Sequence, residues 1–221
     1  MAVGAGTPGV FVTGTSTEVG KTVVAAVIAH TLAGEGKRVA VFKPAVTGLE
    51  EEGETDYALL RRASGSTQSD EEIAPYRYQP PASPHLAAAL AGEEIDPERL
   101  QWVARAAATD ADAIVCEGVG GLLVPLSPTY LVRDLAAELG YPLVVVASPG
   151  LGTLNHTLLT LESIRAAGLK VAAVVLNPWP DDPTEIESSN RETIAQLGDV
   201  RVETLPQLDP SDPSAWPELR L

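Results

Sequence analysis

The feature that most constrains this chain is a set of short apolar runs, rich in Val and Ile, with helical patterns between them. "GVFVTG" (9–14), "RVAVFKP" (38–44), "DAIVCEG" (112–118), "PLVVVAS" (142–148), "KVAAVVLN" (170–177) and "VRVETLP" (200–206) read as strands. They are continuous rather than alternating, as expected of strands buried on both faces of a parallel sheet. Helical spacing fills the intervals at roughly 20–34, 55–64, 96–108, 131–140, 152–168 and 184–197, the first with apolar Val23, Val24, Val27, Ile28 and Leu32. Alternating strands and helices predict an α/β fold: a doubly wound, mostly parallel sheet with helices on both faces. Two stretches break the rhythm. Residues 65–95 form a Pro-rich excursion that must cross a surface or cover a site, and 208–221 read as an irregular C-terminal arm.

At 221 residues, the chain is near the upper size for one hydrophobic core, so a single domain over 1–221 is expected. No apolar run approaches the roughly eighteen residues of a membrane span. The first nine residues, "MAVGAGTPG", lack the basic start and apolar core of a signal peptide. A lone Cys116 excludes an internal disulfide and fits a reducing cytoplasm. Fifteen basic residues against 30 acidic give a formal charge of −15, which disfavours nucleic acid and anionic membrane as partners. Only four lysines are present, Lys21, Lys37, Lys43 and Lys170, so a site for an anion must place them with care.

In an open parallel sheet, ligands bind beyond the carboxyl ends of the strands. The first such segment is "GTSTEVGKT", 14–22. It ends as a phosphate-binding loop does, but five residues rather than the usual four or so separate Gly14 from Gly20. A buried-type strand precedes it and an amphipathic helix follows, so backbone N–H groups and the helix dipole point at an anion. Lys21 would reach the β- and γ-phosphates and the Thr22 hydroxyl would bind Mg²⁺. This context predicts a phosphate-loop NTPase type of fold.

Lys43 closes the second strand in "KPAVTG"; Pro44 biases it toward extended geometry, so it projects from the strand tip toward the same crevice. Thr47 follows four residues on. Alone, each has a plain reading as a solvated charge and a loop hydroxyl. Glu117 ends the strand "AIVCEG" where phosphate-loop enzymes carry a metal-binding Asp, and Gly118, Gly120 and Gly121 let the backbone approach a ligand. Asp56 lies near a helix start, where capping is the simpler reading. Cys116 reads as a packing residue. His30, His85 and His156 show no metal-ligand spacing.

Taken in order and spacing, "VTGTSTEVGKT", "KPAVTG", "SPHLAA", "EGVGGLLVPL" and "GLGTLNHTLLTLESIRAAGL" resemble dethiobiotin synthetase. The likeness runs from about Val10 to Asn177 and more thinly to Gln207, and the long phosphate loop is part of it. The resemblance implies an ATP-dependent cyclo-ligase that closes a ureido ring from 7,8-diaminononanoate and CO₂ (or bicarbonate), with ATP as co-substrate and Mg²⁺ as cofactor. It implies that Glu18, Val19, Gly20, Lys21, Thr22 and Val23 hold the phosphates, and that Thr22, Asp56 and Glu117 ligate the metal. Lys43 and Lys21 then correspond to the catalytic lysines. Gly118, Val119 and Gly120 approach the nucleotide, Asn177 recognises the base, and Pro206 and Gln207 lie near it. Thr17 and Thr47 fall on the substrate side, and Gly152, Thr153 and Asn155 bind the substrate carboxylate from the partner subunit of a homodimer.

Two other readings keep the fold. Partition and division-site ATPases resemble this chain in the loop, but carry a further lysine where Thr15 and Ser16 stand, and act on DNA or membrane, which the charge disfavours. Amidating ligases of cobyrinate type couple to a glutaminase domain, for which this chain is too short.

Overall fold

The computed structural model describes residues 6–49 and 54–221; residues 1–5 and 50–53 lie outside the described residues. The first half runs β1 (Gly9–Gly14), α1 (Lys21–Gly34), β2 (Val39–Phe42), α2 (Asp56–Ser64), α3 (Asp70–Ile73), α4 (Pro84–Leu90), α5 (Pro97–Thr109) and β3 (Ala113–Gly121). It continues through β4 (Pro125–Ser127), β5 (Tyr130–Leu131), α6 (Val132–Leu139), β6 (Leu143–Ala147), α7 (Thr153–Ala166), β7 (Val171–Trp179), α8 (Glu185–Gly198) and β8 (Val202–Pro206). Six strands form one sheet in the order β2-β3-β1-β6-β7-β8, and every neighbouring pair in it is parallel.

The continuous apolar runs are explained by where alternate residues go. Phe11, Phe42, Ile114, Cys116, Leu143 and Val145 pack into a core on one face. Val12, Val41, Val115, Val144 and Val146 pack into a second core on the other, with α1 and α2 residues such as Val24, Val27 and Leu60. A strand buried on both faces has no position left for a polar residue until its end. The polar side chains therefore gather at the strand tips.

Parity and register then place the site. Val41 faces the α1/α2 side, so Lys43 two residues on projects to that side, and Glu117 does so two residues after Val115. β2 and β3 pair with Val39 opposite Ala113 and Phe42 opposite Cys116. One further step of that register sets Lys43 beside Glu117.

The excursion at 65–95 is more ordered than its Pro-rich composition predicts. It carries α3 and α4, and Ile73, Ala74, Tyr76, Tyr78, Ala87 and Ile95 are buried. Its backbone runs along the segment after β2: Lys43 N donates to Ile73 O (2.8 Å), Val46 N to Tyr76 O (2.9 Å) and Tyr78 N to Val46 O (2.8 Å). Two strands also extend beyond the sequence reading, β3 to Gly121 and β7 to Trp179, and the small β4–β5 hairpin has no counterpart in it. The final segment is irregular apart from one short turn, yet anchored, with Trp216 and Leu219 buried and Leu219 N bonded to the Thr31 hydroxyl.

Candidate active site

The phosphate loop joins β1 to α1 and wraps tightly. A Cβ on Gly14 would lie 2.9 Å from Lys21 Cδ, and one on Gly20 would lie 2.0 Å from Asn177 Nδ2. Gly20 also has φ +80°, and Glu18 takes a left-handed backbone at φ 60°. The one extra residue of the long loop is thus accommodated by two consecutive turns of positive φ around Val19, the second of which only glycine adopts without strain. Lys21 is buried and its Nζ donates to Ser16 O at 3.0 Å, folding the ammonium back over the loop.

Next to this loop lies a compact charged cluster. Lys43 Nζ sits 2.6 Å from Glu117 Oε1 and 2.7 Å from Asp56 Oδ2. The Thr22 hydroxyl lies 2.8 Å from Glu117 Oε1 and 3.1 Å from Asp56 Oδ1, so one proton is shared between two carboxylates. Thr22 comes from the first turn of α1, Asp56 from the first turn of α2, Lys43 from the tip of β2 and Glu117 from within β3. Thr55, not Asp56, is the N-cap of α2, which frees the Asp56 carboxylate to face the cluster.

Burial opposes every charge here, and the partners decide the balance. Burial works against the Lys43 ammonium, but Glu117 and Asp56 outweigh it and hold it above its ordinary value. Burial would raise Asp56, and Lys43 more than offsets that, so its carboxyl lies below its ordinary value. Glu117, fully enclosed, is pushed up by burial, which Lys43 counters only in part. Lys21 is pulled down by burial, partly offset by Glu117. Glu117 Oε2 is buried with no hydrogen-bond partner among the described residues. A buried carboxylate oxygen left unpaired costs free energy, so it marks a place built for something more than the protein alone.

One cleft of about 270 Å³ is lined by Thr17, Glu18, Gly20, Lys21, Thr22, Lys43, Thr47, Asp56, Glu117, Val119 and Gly120. Eleven of the residues singled out in the sequence therefore meet in one place. Others stand apart from it. Gly118 turns its α-carbon toward Phe11 and Val132, where a Cβ would be within 3.1 Å of both, so packing alone requires that glycine. Val19 is buried beneath the loop and Val23 is half-buried on α1. Asn177 lies behind the loop, buried, with Nδ2 donating to Val19 O at 3.0 Å. Pro206 and Gln207 are exposed at the end of β8. Gly152 caps α7 with φ 92°; beside it Asn155 is exposed, while Thr153 is buried against the Thr157 hydroxyl at 3.3 Å.

A second groove of about 500 Å³ adjoins the loop, lined by Thr15, Ser16 and Thr17, by the segment 121–125, and by Leu159, Thr160 and Ser163 of α7. The sequence reading did not single out that face of α7. Its signal is the helical spacing of Leu159, Thr160 and Ser163 on the side away from the core, with Leu159 itself 55% exposed.

Comparison with known proteins bears on what this geometry is for. A family model described as an AAA domain matches residues 8–215. The ATP-dependent dethiobiotin synthetase BioD of Rhodococcus erythropolis (strain PR4) is 44% identical over 192 residues, covering 86% of this chain and 84% of the relative. The chain belongs to the ATP-dependent dethiobiotin synthetase family. Relatives of the same name from Anaeromyxobacter sp. (strain K) and Bacillus subtilis (strain 168) are 44% and 36% identical, over 86% and 88% of this chain and 89% and 84% of theirs. As a member of a synthetase family, the protein is an ATP-dependent ligase.

Solved structures agree on the fold alone. A ParA family ATPase from Chlorobium tepidum TLS superposes with a TM-score of 0.57 at 19% identity, over 92% of this chain and 86% of that one. The septum site-determining protein MinD complexed with Mg-ADP from Pyrococcus horikoshii OT3 gives 0.54 at 19% identity, over 92% and 82%. The synthetase family is distinguished from them by identity along the whole chain.

Proposed function

We propose that the protein is a dethiobiotin synthetase that inserts CO₂ between the two amines of 7,8-diaminononanoate at the expense of MgATP. The observation that carries this reading is Lys43, buried at the strand tip between Asp56 and Glu117 and opening into the same cleft as Lys21 and Thr47. Two anions must meet in this reaction, and a buried cation beside a phosphate loop is what brings them together.

The chemistry begins on the diamine. One amine nitrogen bonds to the carbon of CO₂ and loses a proton, giving a carbamate. A carbamate oxygen attacks the γ-phosphorus, and the bond to ADP breaks. The second amine attacks the activated carbonyl carbon, gives up a proton, closes the five-membered ring and expels phosphate. Lys21 and the backbone from Glu18 through Val23 hold the β- and γ-phosphates, while Lys43 offsets the charge between carbamate and phosphate. Thr17 and Thr47, on the cleft wall, orient the amines, which must both reach one carbon. The zipper of 43–46 against 73–78 supports this role, because it fixes the backbone that carries Lys43 and Thr47.

Thr22, Asp56 and Glu117 offer a hydroxyl and two carboxylates, the hard oxygen donors that Mg²⁺ prefers, and the unpartnered Glu117 Oε2 supports such a guest. Among the described residues no group of three or more His, Cys, Asp or Glu is placed to hold a metal. When bound, Mg²⁺ would neutralise the phosphate oxygens. Gly118, Val119 and Gly120 pass close to the nucleotide, and Asn177, Pro206 and Gln207 recognise its base. Gly152, Thr153 and Asn155, at the start of α7, take the substrate carboxylate, which suits a helix N-terminus.

The carboxylate end serves a second copy of the chain, in a homodimer acting in the cytoplasm as one domain per subunit. Exposed Leu123 and Leu159 beside the groove, and Leu151 at 95% exposure before α7, support a covered face. Among the described residues no helix is long and apolar enough to cross a membrane.

The test is phosphate release from MgATP in bicarbonate buffer, with and without the diamine, with the organic product followed by mass. Diamine-dependent release with a product heavier by one carbonyl and lighter by two hydrogens is expected. Hydrolysis indifferent to the diamine would overturn the assignment.

A further inference from the structure

The charged cluster holds its own cation in the place where its carboxylates would meet a metal. Lys43 Nζ contacts Glu117 Oε1 and Asp56 Oδ2, and the Thr22 hydroxyl contacts that same Glu117 oxygen. Both carboxylates read as metal ligands are thus already bound to one ammonium, and the Thr22 hydroxyl bridges the two. Lys21 is differently disposed: its ammonium rests on the Ser16 carbonyl and forms no ion pair with either carboxylate. Among the described residues, Lys43 is the one lysine of the four that is both buried and paired with two acids.

We propose that Lys43 is an exchangeable counter-ion: it neutralises Asp56 and Glu117 while they hold no metal, and a divalent cation entering between them displaces its ammonium toward the substrate anion. This deepens the functional reading above and rests on its assignment of Asp56 and Glu117 as metal ligands.

Three observations carry the exchange. A divalent ion on these oxygens would lie close to Nζ, where two cations repel in a low-dielectric site. Lys43 is buried, at 4% exposure, so on losing its carboxylates it has little water to turn to and needs another anion. The cleft that Lys43 lines also holds Thr17 and Thr47, so an anion delivered there is within the same enclosure. Metal entry and binding of the carbamate are therefore coupled in sign, each favouring the other, because each supplies what the other displaces. The arrangement also explains how Glu117, wholly buried, is tolerated before a metal arrives. Without Lys43 it would be an uncompensated charge.

The test is Mn²⁺ binding to the full chain without nucleotide or diamine, read from the paramagnetic signal of free Mn²⁺. Lys43→Met removes the competing cation and is expected to bind Mn²⁺ at least about tenfold more tightly than the wild type, while Lys43→Arg, which keeps the charge, stays near it. Asp56→Asn in the Lys43→Met background is expected to reverse the gain. Equal or weaker Mn²⁺ binding by Lys43→Met would overturn the exchange, since a lysine that merely holds phosphate does not compete with a metal in the absence of nucleotide. Should Lys43→Met fail to fold without metal, the exchange reads out as stability. Mn²⁺ must then raise its thermal midpoint by more than it raises that of the wild type, and a midpoint indifferent to Mn²⁺ would overturn the proposal. No outcome depends on turnover, so diamine-dependent phosphate release by the wild type judges the functional reading separately.

Discussion

The β2–β3 strand pair carries opposite charges at both ends, and the two ends behave differently. At the amino end Arg38 meets Asp112 with Nη2–Oδ1 at 3.0 Å, the side chains 71% and 47% exposed. At the carboxyl end Lys43 meets Glu117 at 2.6 Å, the side chains 5% and 0% exposed. Strand register, residue chemistry and spacing match. Water does not. The exposed pair is screened and must restrain two mobile side chains, so it adds little. The buried pair has lost its hydration and holds together only while both charges are present. Stability alone gives a fold no reason to build the second kind of end, whereas chemistry on anions does.

The comparison breaks most sharply at Lys43. Lys43→Met is expected to lower the unfolding free energy by about 3 kcal/mol or more, because Glu117 is left enclosed and unpaired. Urea titration measures that loss. Diamine-dependent turnover should fall at least ~100-fold, the scale of losing one preorganised charge at a transition state. Nucleotide affinity should change less, which separates a transition-state role from ground-state holding.

Asp56→Asn is a milder break. Its side chain is 41% exposed, so the stability change should stay within about 1 kcal/mol. Dependence of turnover on Mg²⁺ should shift to concentrations ~10-fold or more higher, as measured by metal titration of initial rates.

The two ends also titrate in opposite directions of pH. Lys43 is held above its ordinary 10.5, so its contribution is complete below 10.5 and is lost as pH rises through its raised folded value. Denaturation from neutral to alkaline pH should show that loss in the wild type and not in Lys43→Met. Asp112 is held by Arg38 at about 2 instead of 3.8, so its contribution is present above 3.8 and is lost as pH falls toward about 2. Arg38→Ala, the smallest effect, should leave turnover unchanged and return the Asp112 carboxyl to about 3.9, read by NMR titration.

Much of the buried end is visible in the chain itself. "RVAVFK" and "DAIVCE" each place a charge on either side of four apolar residues, so parallel pairing in register joins both ends at once. The alternation of cores then fixes which face Lys43 and Glu117 share. Asp56 is a different matter: it lies 34 residues from Thr22, and only the packing of α2 against α1 brings the two together. A helix-start aspartate looks the same whether it caps or ligates, and the resemblance to a family, not the local pattern, pointed to the second. Asn177 is similar, since its bond to Val19 spans 158 residues and depends on where β7 ends. The Pro-rich composition of 65–95 predicts a crossing or a cover and no more. The segment's short helices and its zipper to 43–49 arise from tertiary burial of Tyr76 and Tyr78, whose hydroxyls bond to Asp96 N and Glu93, and composition carries no trace of that.

The central claim is that a carbamate oxygen attacks the γ-phosphate beside Lys43. Single-turnover reaction of the wild type with MgATP, diamine and ¹⁸O-labelled CO₂, followed by mass analysis of the released phosphate, tests it most directly. The account predicts one labelled oxygen in each phosphate, transferred when the ring closes and the carbon–oxygen bond breaks. Phosphate carrying no label, with its new oxygen drawn from water, would contradict it.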